Sequence, residues 1–160
     1  MPMNLEGSCN CGVVSFSVAT HTPCPFIRCY CNACRKTAGG GGFAVNIMAI
    51  ANTMVVSGRY FISEHGIVDD SGQSSAARRS FCRDCGTMLW NFDPRWPEMI
   101  YPFASAINTP LPVPPQAFHI MRDYKASWVE PDLREGDKVF PRYPDQSIED
   151  WHRSQDLWVA

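Results

Sequence analysis

The chain has 160 residues, 45% of them hydrophobic and 19% charged, and a formal net charge of -2. That length suits one domain with a buried core, in the composition range of ordinary globular proteins. No cationic excess is present to hold a nucleic-acid backbone or an anionic membrane surface, so neither is an expected partner. The opening residues, Met1-Pro2-Met3-Asn4-Leu5-Glu6-Gly7-Ser8, lack the basic start and apolar run of a secretory signal. The longest apolar stretch, Phe43 to Ala51, is interrupted by Asn46 and is too short to span a bilayer. A cytoplasmic protein is therefore expected.

Strand signals dominate the chain. Val14, Phe16 and Val18 alternate with Ser15, Ser17 and Ala19, the period of a half-buried strand. After the run Gly39-Gly40-Gly41-Gly42, Phe43, Val45 and Ile47 alternate in the same way. Met54-Val55-Val56 and Tyr60-Phe61-Ile62 flank a turn at Ser57-Gly58. Residues 69–77 read as a polar loop. Arg79-Ser80-Phe81 enters a cysteine pair and Met88-Leu89-Trp90-Asn91-Phe92 leaves it. Ile100 to Ile107 and Ala117 to Met121 are further strand candidates. Pro110, Pro112, Pro114 and Pro115 predict an extended connector over 108–116, because proline cannot donate to a sheet ladder. A short helix is expected at Ser147 to Arg153, with Ser147 as its cap and Glu149 and Asp150 in its first turn. The expected fold is mainly β, one domain over 1–160, with a proline-rich tail over 131–160 packing on the rest.

Eight cysteines are many for such a chain. Without a secretory signal, clustered cysteines point to metal before disulfides or redox thiols. They form a CxC clip (Cys9-Asn10-Cys11-Gly12), a CxCxxC triplet (Cys29-Tyr30-Cys31-Asn32-Ala33-Cys34) and a CxxC knuckle (Cys82-Arg83-Asp84-Cys85-Gly86), with Cys24 alone between two prolines. Structural zinc takes four protein ligands; catalytic zinc takes three and keeps an exchangeable position. Seven clustered cysteines divide as four plus three, the triplet forming a tripod while the clip and the knuckle meet in space. A rival pairing joins Cys29 or Cys34 to the knuckle. Gly12 and Gly86 allow the tight turns that aim backbone N–H groups at sulfur. Arg28, Arg35, Lys36, Arg79 and Arg83 lie beside the clusters and can offset thiolate charge. Cys24 reads as a buried small hydrophobe, with a fourth metal ligand as its alternative role.

The three clusters, taken with Gly7-Ser8 before the clip, Arg35-Lys36 after the triplet and Thr87 after the knuckle, resemble the glutathione-dependent formaldehyde-activating enzyme family, shared with centromere protein V. His119-Ile120 and Lys125-Ala126-Ser127-Trp128 look like that family's closing motif, so the likeness covers about residues 3–130. It implies Mss4-like folded antiparallel sheets stapled by zinc. It also implies that Cys9, Cys11, Cys82 and Cys85 hold a structural zinc and that Cys29, Cys31 and Cys34 hold an active-site zinc, two ions per chain. The implied activity is condensation of formaldehyde with glutathione to S-hydroxymethylglutathione, classed with carbon–sulfur lyases by the reverse reaction. Two departures, the glycine run at 39–42 and residues 93–98, bear on the substrate and leave the zinc sites untouched.

A three-cysteine zinc with an open position can hold a thiol as thiolate at neutral pH or polarise an aldehyde; an electron-rich sulfur set favours the first. The expected partner is a small thiol such as glutathione or its aldehyde adduct, whose carboxylates Arg28, Arg35 and Lys36 can contact. The alternative is a zinc-stapled, non-catalytic binding module for protein or nucleic acid, in which a fourth ligand such as Cys24 would close the second site. His21, His65, His119 and His152 are scattered, and none stands out as a general acid or base. Trp90, Trp96 and Trp128 read as core or pocket wall.

Overall fold

A computed structural model describes residues 1–38 and 40–160; Gly39, the first of the glycine run, lies outside the described residues. In chain order, β1 (Met3–Ser8) and β2 (Ser15–Thr20) form an antiparallel hairpin with Leu5 opposite Val18. Next come β3 (Ile27–Cys29), α1 (Asn32–Ala38), β4 (Ala49–Ile50) and β5 (Val55–Ser57). β6 (Ile62–Val68), β7 (Ser74–Cys82), β8 (Met88–Phe92) and β9 (Met99–Pro102) follow as a meander. β10 (Phe118–Ile120), β11 (Lys138–Val139) and α2 (Ile148–Ser154) complete the chain. The strands sort into an antiparallel sheet of order β1-β2-β5, an antiparallel sheet of order β4-β9-β8-β7-β6, and a small parallel sheet of order β11-β10-β3.

The expected β-rich fold with a short C-terminal helix is what forms. Alternation along β2 buries Phe16, Val18 and Thr20. Phe16 meets Trp90 of β8 edge-on at 5.3 Å, and these two sheets share a core that includes Leu5, Ile47, Leu89 and Ile100. α2 begins where its cap predicts, with the Ser147 side chain accepting from the Asp150 N–H.

Several elements depart from the sequence reading for local physical reasons. β1 carries too little apolar pattern to stand out, and it exists because Leu5 and Gly7 are buried against β2. Segment 43–48 is not one strand but a string of single bridges, Cys29↔Ala44, Asn46↔Phe103 and Thr22↔Met48. Its partners change at each step, so no single sheet face sets its inward side, and Ala44 and Ile47 are buried while Phe43 and Val45 are half-buried. Residues 59–61 form a 3-10 turn because Gly58 is left-handed (φ 83°), a position where a Cβ would collide with the Val13 carbonyl. The polar loop shrinks to 69–73: the Asp69 carboxylate accepts from Ser71 N–H and Gln73 N–H, closing a tight turn that leaves Ser74 to begin β7. α1 is an addition to the expected elements.

The C-terminal stretch packs against the parallel sheet. Trp151 is fully buried and stacks on Phe26 with ring centroids 3.6 Å apart, beside Phe118, Ile120 and Cys24. β11 supplies the outer strand of that sheet.

Candidate functional site

Two hairpin ends bring the first set of sulfurs together. Cys9 follows β1, and Gly12 (φ 82°) turns the chain so that its N–H donates to the Cys9 carbonyl at 3.2 Å. The Val14 N–H then donates to Cys9 Sγ at 3.3 Å. Cys82 ends β7, and Gly86 (φ 76°) donates to its carbonyl at 2.7 Å. A bond from Asn10 N–H to Thr87 Oγ1 at 3.0 Å ties one turn to the other. The Sγ atoms of Cys9, Cys11, Cys82 and Cys85 all lie within 4.8 Å of one another, with Cys9–Cys11 at 3.6 Å and Cys11–Cys82 at 3.8 Å. A tetrahedral zinc with bonds of about 2.3 Å spaces its sulfurs roughly 3.8 Å apart. This donor set fits such an ion.

The second set sits where β3 runs into α1. Cys29 is the last residue of β3; Cys31 and Cys34 flank the start of α1, whose first turn aims the Cys34 N–H at Cys31 Sγ, 3.3 Å away. The three Sγ atoms again lie within 4.8 Å of one another. Cys34 is buried, and Cys29 and Cys31 are half-buried. Three sulfurs this close cannot all ionise in the absence of a cation. Hydrogen bonding among them pushes the Cys29 thiol up and pulls Cys34 well below its ordinary value, with Arg79 adding to the second effect.

Arg79 on β7 is 4% exposed. Its Nη2 lies 3.5 Å from Cys34 Sγ, its Nη1 reaches Thr37 Oγ1, and its guanidinium lies 5.2 Å over the Phe103 ring. Among the described residues no carboxylate pairs with it. A buried guanidinium needs an anionic neighbour, and the thiolates of a metal-loaded cluster supply one. Three thiolates on a divalent ion carry a net charge of minus one, which one arginine offsets. Both cysteine sets could therefore hold metal ions. Among the described residues the three-cysteine set acquires no fourth His, Cys, Asp or Glu donor. Cys24 sits elsewhere, in the core beside Trp151, where burial pushes its thiol up to about 11.

A cavity of about 270 Å³ adjoins the second set, with Cys29 in its wall. Ile27 of β3, Ile120 of β10, Asn91 of β8, Tyr101 of β9 and Trp96 of the 93–98 loop contribute to its lining. Trp96, half exposed, stands in that loop as pocket wall, whereas Trp90 is core and Trp128 is exposed. Asp93 also lines the cavity, but both its oxygens are engaged by Arg95 Nε and Nη2.

Behind the triplet runs a buried chain of polar contacts. Tyr30, between Cys29 and Cys31, bonds through its hydroxyl to His119 Nδ1 at 2.7 Å, and His119 Nε2 meets Asp137 Oδ2 at 3.1 Å. The Tyr30 N–H also donates to the Ile120 carbonyl. His119 is thus a satisfied interior histidine that fixes the cysteine-bearing turn. His21 bonds the Val159 carbonyl and His152 receives the Cys24 N–H, so both are structural. Of the cationic residues, Arg28 lies over Phe43 at 5.2 Å, Arg35 donates to Asn32 Oδ1, and Lys36 is exposed on α1; none lines the cavity. Asn46, Asn91 and Asp137 escaped the sequence reading. The signal for the first two was a lone asparagine inside an otherwise apolar stretch.

Among the described residues no helix is long and apolar enough to cross a membrane. A solved crystal structure of a Rhodobacter sphaeroides protein shares the fold, with a TM-score of 0.52 and 21% identity, covering 84% of this chain and 98% of that one. A provisionally named glutathione-dependent formaldehyde-activating enzyme of Halomonas elongata is 52% identical over 150 residues, 94% of this chain and 95% of the relative. The model of the family described as glutathione-dependent formaldehyde-activating enzyme matches residues 4–123. That span takes in both cysteine clusters, and on these likenesses the chain belongs to the glutathione-dependent formaldehyde-activating enzyme family.

Proposed function

We propose that the protein is a two-zinc enzyme of the carbon–sulfur lyase type that joins a small thiol to an aldehyde and, in reverse, splits the adduct. The observation that carries this reading is the three-sulfur set: it lacks a fourth protein donor among the described residues and it borders a cavity. A binding module would have no use for such a gap, and the Cys24 sulfur is not among those that lie within 4.8 Å of one another in this set.

In the forward direction the thiol sulfur bonds to the aldehyde carbon, and the thiol proton ends on the former carbonyl oxygen. In reverse the carbon–sulfur bond breaks and the hydroxyl proton returns to sulfur. Cys29, Cys31 and Cys34 would hold the active-site zinc, and an ion there would supply a thiolate at neutral pH. Cys9, Cys11, Cys82 and Cys85 would hold the structural one. Arg79 offsets the negative charge of the three-sulfur set from its buried side. Tyr30, anchored through His119 to Asp137, fixes the turn that presents Cys29 and Cys31. Arg28 and Arg35 each adjoin a cluster cysteine in the chain, and with Lys36 they are the candidate contacts for the carboxylates of glutathione or its hydroxymethyl adduct. Residues 1–160 act as one domain in a reducing, cytoplasmic setting that keeps the thiols free.

The test is cobalt substitution. Cobalt(II) in the three-cysteine site should gain sulfur-to-metal charge-transfer absorption when glutathione is added, and S-methylglutathione should give none of that gain. An unchanged spectrum with glutathione would refute the reading.

A further inference from the structure

β6 closes one side of the five-stranded sheet, and among the described residues β7 is its only ladder partner. The Phe61 carbonyl accepts the Arg83 N–H at 2.8 Å. Alternation in an antiparallel ladder then turns residues 63 and 65 toward β7 and directs the main-chain groups of Ile62, Glu64 and Gly66 outward. Among the described residues those groups take no main-chain partner, and the side-chain contact to them is local, His65 Nδ1 lying 2.9 Å from the Gly66 carbonyl. The register shift between Gly66 and Val68 sets Ile67 against residues 75–77, so the additional residues belong to β7 and β6 itself stays regular. Lysine, arginine and proline commonly blunt an open edge, and Ile-Ser-Glu-His-Gly-Ile-Val contains none of them.

The side chains along this edge say what strand it fits. Gly66 is not left-handed, so its backbone does not demand glycine. Space does: a Cβ there would lie 2.5 Å from Arg78 Nη1. Arg78, opposite Gly66 on β7, thus lays its guanidinium across β6 toward the open edge. Among the described residues Arg78 has no carboxylate partner, and Glu64 on the same face has no cationic one. Both side chains are exposed. Val68, also exposed, and half-buried Ile62 complete the face.

We propose that β6 pairs antiparallel with β6 of a second copy of the chain, about a two-fold axis at His65. In that register Glu64 stands opposite Gly66 of the second copy, beneath which Arg78 of that copy supplies the counter-charge, and the axis repeats the contact. Ile62 of each copy meets Val68 of the other. Moving the axis by one residue destroys the match. Centred on Glu64, two carboxylates oppose each other; centred on Gly66, two Arg78 guanidinium groups do, and like charges so placed are destabilising. The charge pattern therefore favours a second copy over an unrelated strand and fixes its register. An edge contact of this kind belongs to the small, weak class of interfaces, so the dimer forms reversibly in the micromolar range.

Sedimentation velocity of the zinc-loaded full chain over a concentration series tests this. A reversible dimer is expected. Glu64→Arg and Arg78→Glu should each weaken it about tenfold, because the axis makes every change count twice, and the double variant should restore it. Both side chains are exposed, so circular dichroism should show all three variants folded. Hydrogen exchange in the wild type needs no substitution: the Glu64 and Gly66 amides should exchange more slowly at dimer-forming concentrations than in dilute solution. A monomer at every concentration up to millimolar would overturn the inference. So would a dimer that tolerates both single reversals and leaves the two amides unprotected, since it would use another surface. Failure of the double variant to recover would remove the Glu64–Arg78 pairing, and with it the argument for this register.

Discussion

Arg79 and Cys34 are both buried, and the guanidinium Nη2 of one lies 3.5 Å from the Sγ of the other. This places a fixed cation against the three-sulfur set from a different sheet, so the charge of the site is balanced by the scaffold and not by solvent. Arg79→Met keeps most of the side-chain volume and removes the charge. It should lower zinc affinity at the three-cysteine set by about tenfold or more, the range found for groups that support metal ligands. The four-cysteine set should keep its ion. Competition against a chromophoric chelator, read as zinc per chain, checks this; two equally tight ions in the variant would refute it.

The two cysteine sets should answer differently to mutation. Cys82 ends β7 and joins sulfurs from two hairpins 71 residues apart, so a metal held there would tie the meander to β1. Structural zinc binding is part of folding free energy, and Cys82→Ser should unfold the protein or leave it aggregated. Cys31→Ser should keep the circular dichroism spectrum, carry about one zinc in place of two, and lose the thiol-dependent cobalt band. An unfolded Cys31→Ser variant would move this set from the chemistry to the scaffold.

The division into these sets was legible in the sequence because zinc ligand spacing is local: CxC, CxCxxC and CxxC-Gly each bend the chain back within a few residues. The meeting of Cys9 with Cys82 was legible only as what remained once the triplet was set apart. Arg79 could be named as a neighbour of the knuckle, yet alternation along β7 turns it away from Cys82 and toward Cys34, which no spacing reveals. Asp137 lies 18 residues beyond His119 in a polar tail, and their contact needs β11 to pair with β10. The 43–48 segment misled for a related reason: its alternation is real, but its neighbours belong to different sheets.

Asp137 predicts an acid-sensitive step. Burial alone would raise its carboxyl, but hydrogen bonds from the Ala117 and Arg134 N–H groups and from His119 outweigh that and hold it down at about 2, against an ordinary value of 3.8. Arg134 Nη2 stands a further 3.7 Å away. A carboxyl depressed in the fold stabilises it above its unfolded value, and that stabilisation disappears as pH falls through the folded one. Wild type should therefore lose about 2 kcal/mol from this group between roughly pH 4 and pH 2. Asp137→Asn should lack that component. Zinc also leaves the cysteines in acid, so the measured quantity is the difference between the two proteins in urea unfolding at each pH, where the metal contribution cancels. A constant difference across that range would refute the assignment.

Trp151 joins the tail to the site. Fully buried, it stacks on Phe26 at 3.6 Å and donates through Nε1 to Gln116 Oε1 at 3.0 Å. Ile27, next in the chain to Phe26, lines the cavity from β3, and Ile148, at the start of the same helix as Trp151, lines it too. Trp151→Ala leaves a large void and an unpaired amide oxygen, and should reduce stability by about 3–5 kcal/mol. Because β3 ends at Cys29, the damage should spread to the three-cysteine set before the four-cysteine one. Native mass spectrometry of the variant under mild chelation should show a one-zinc species that accumulates ahead of the metal-free chain. Loss of both ions together would mean that the tail and the first hairpin unfold as one unit.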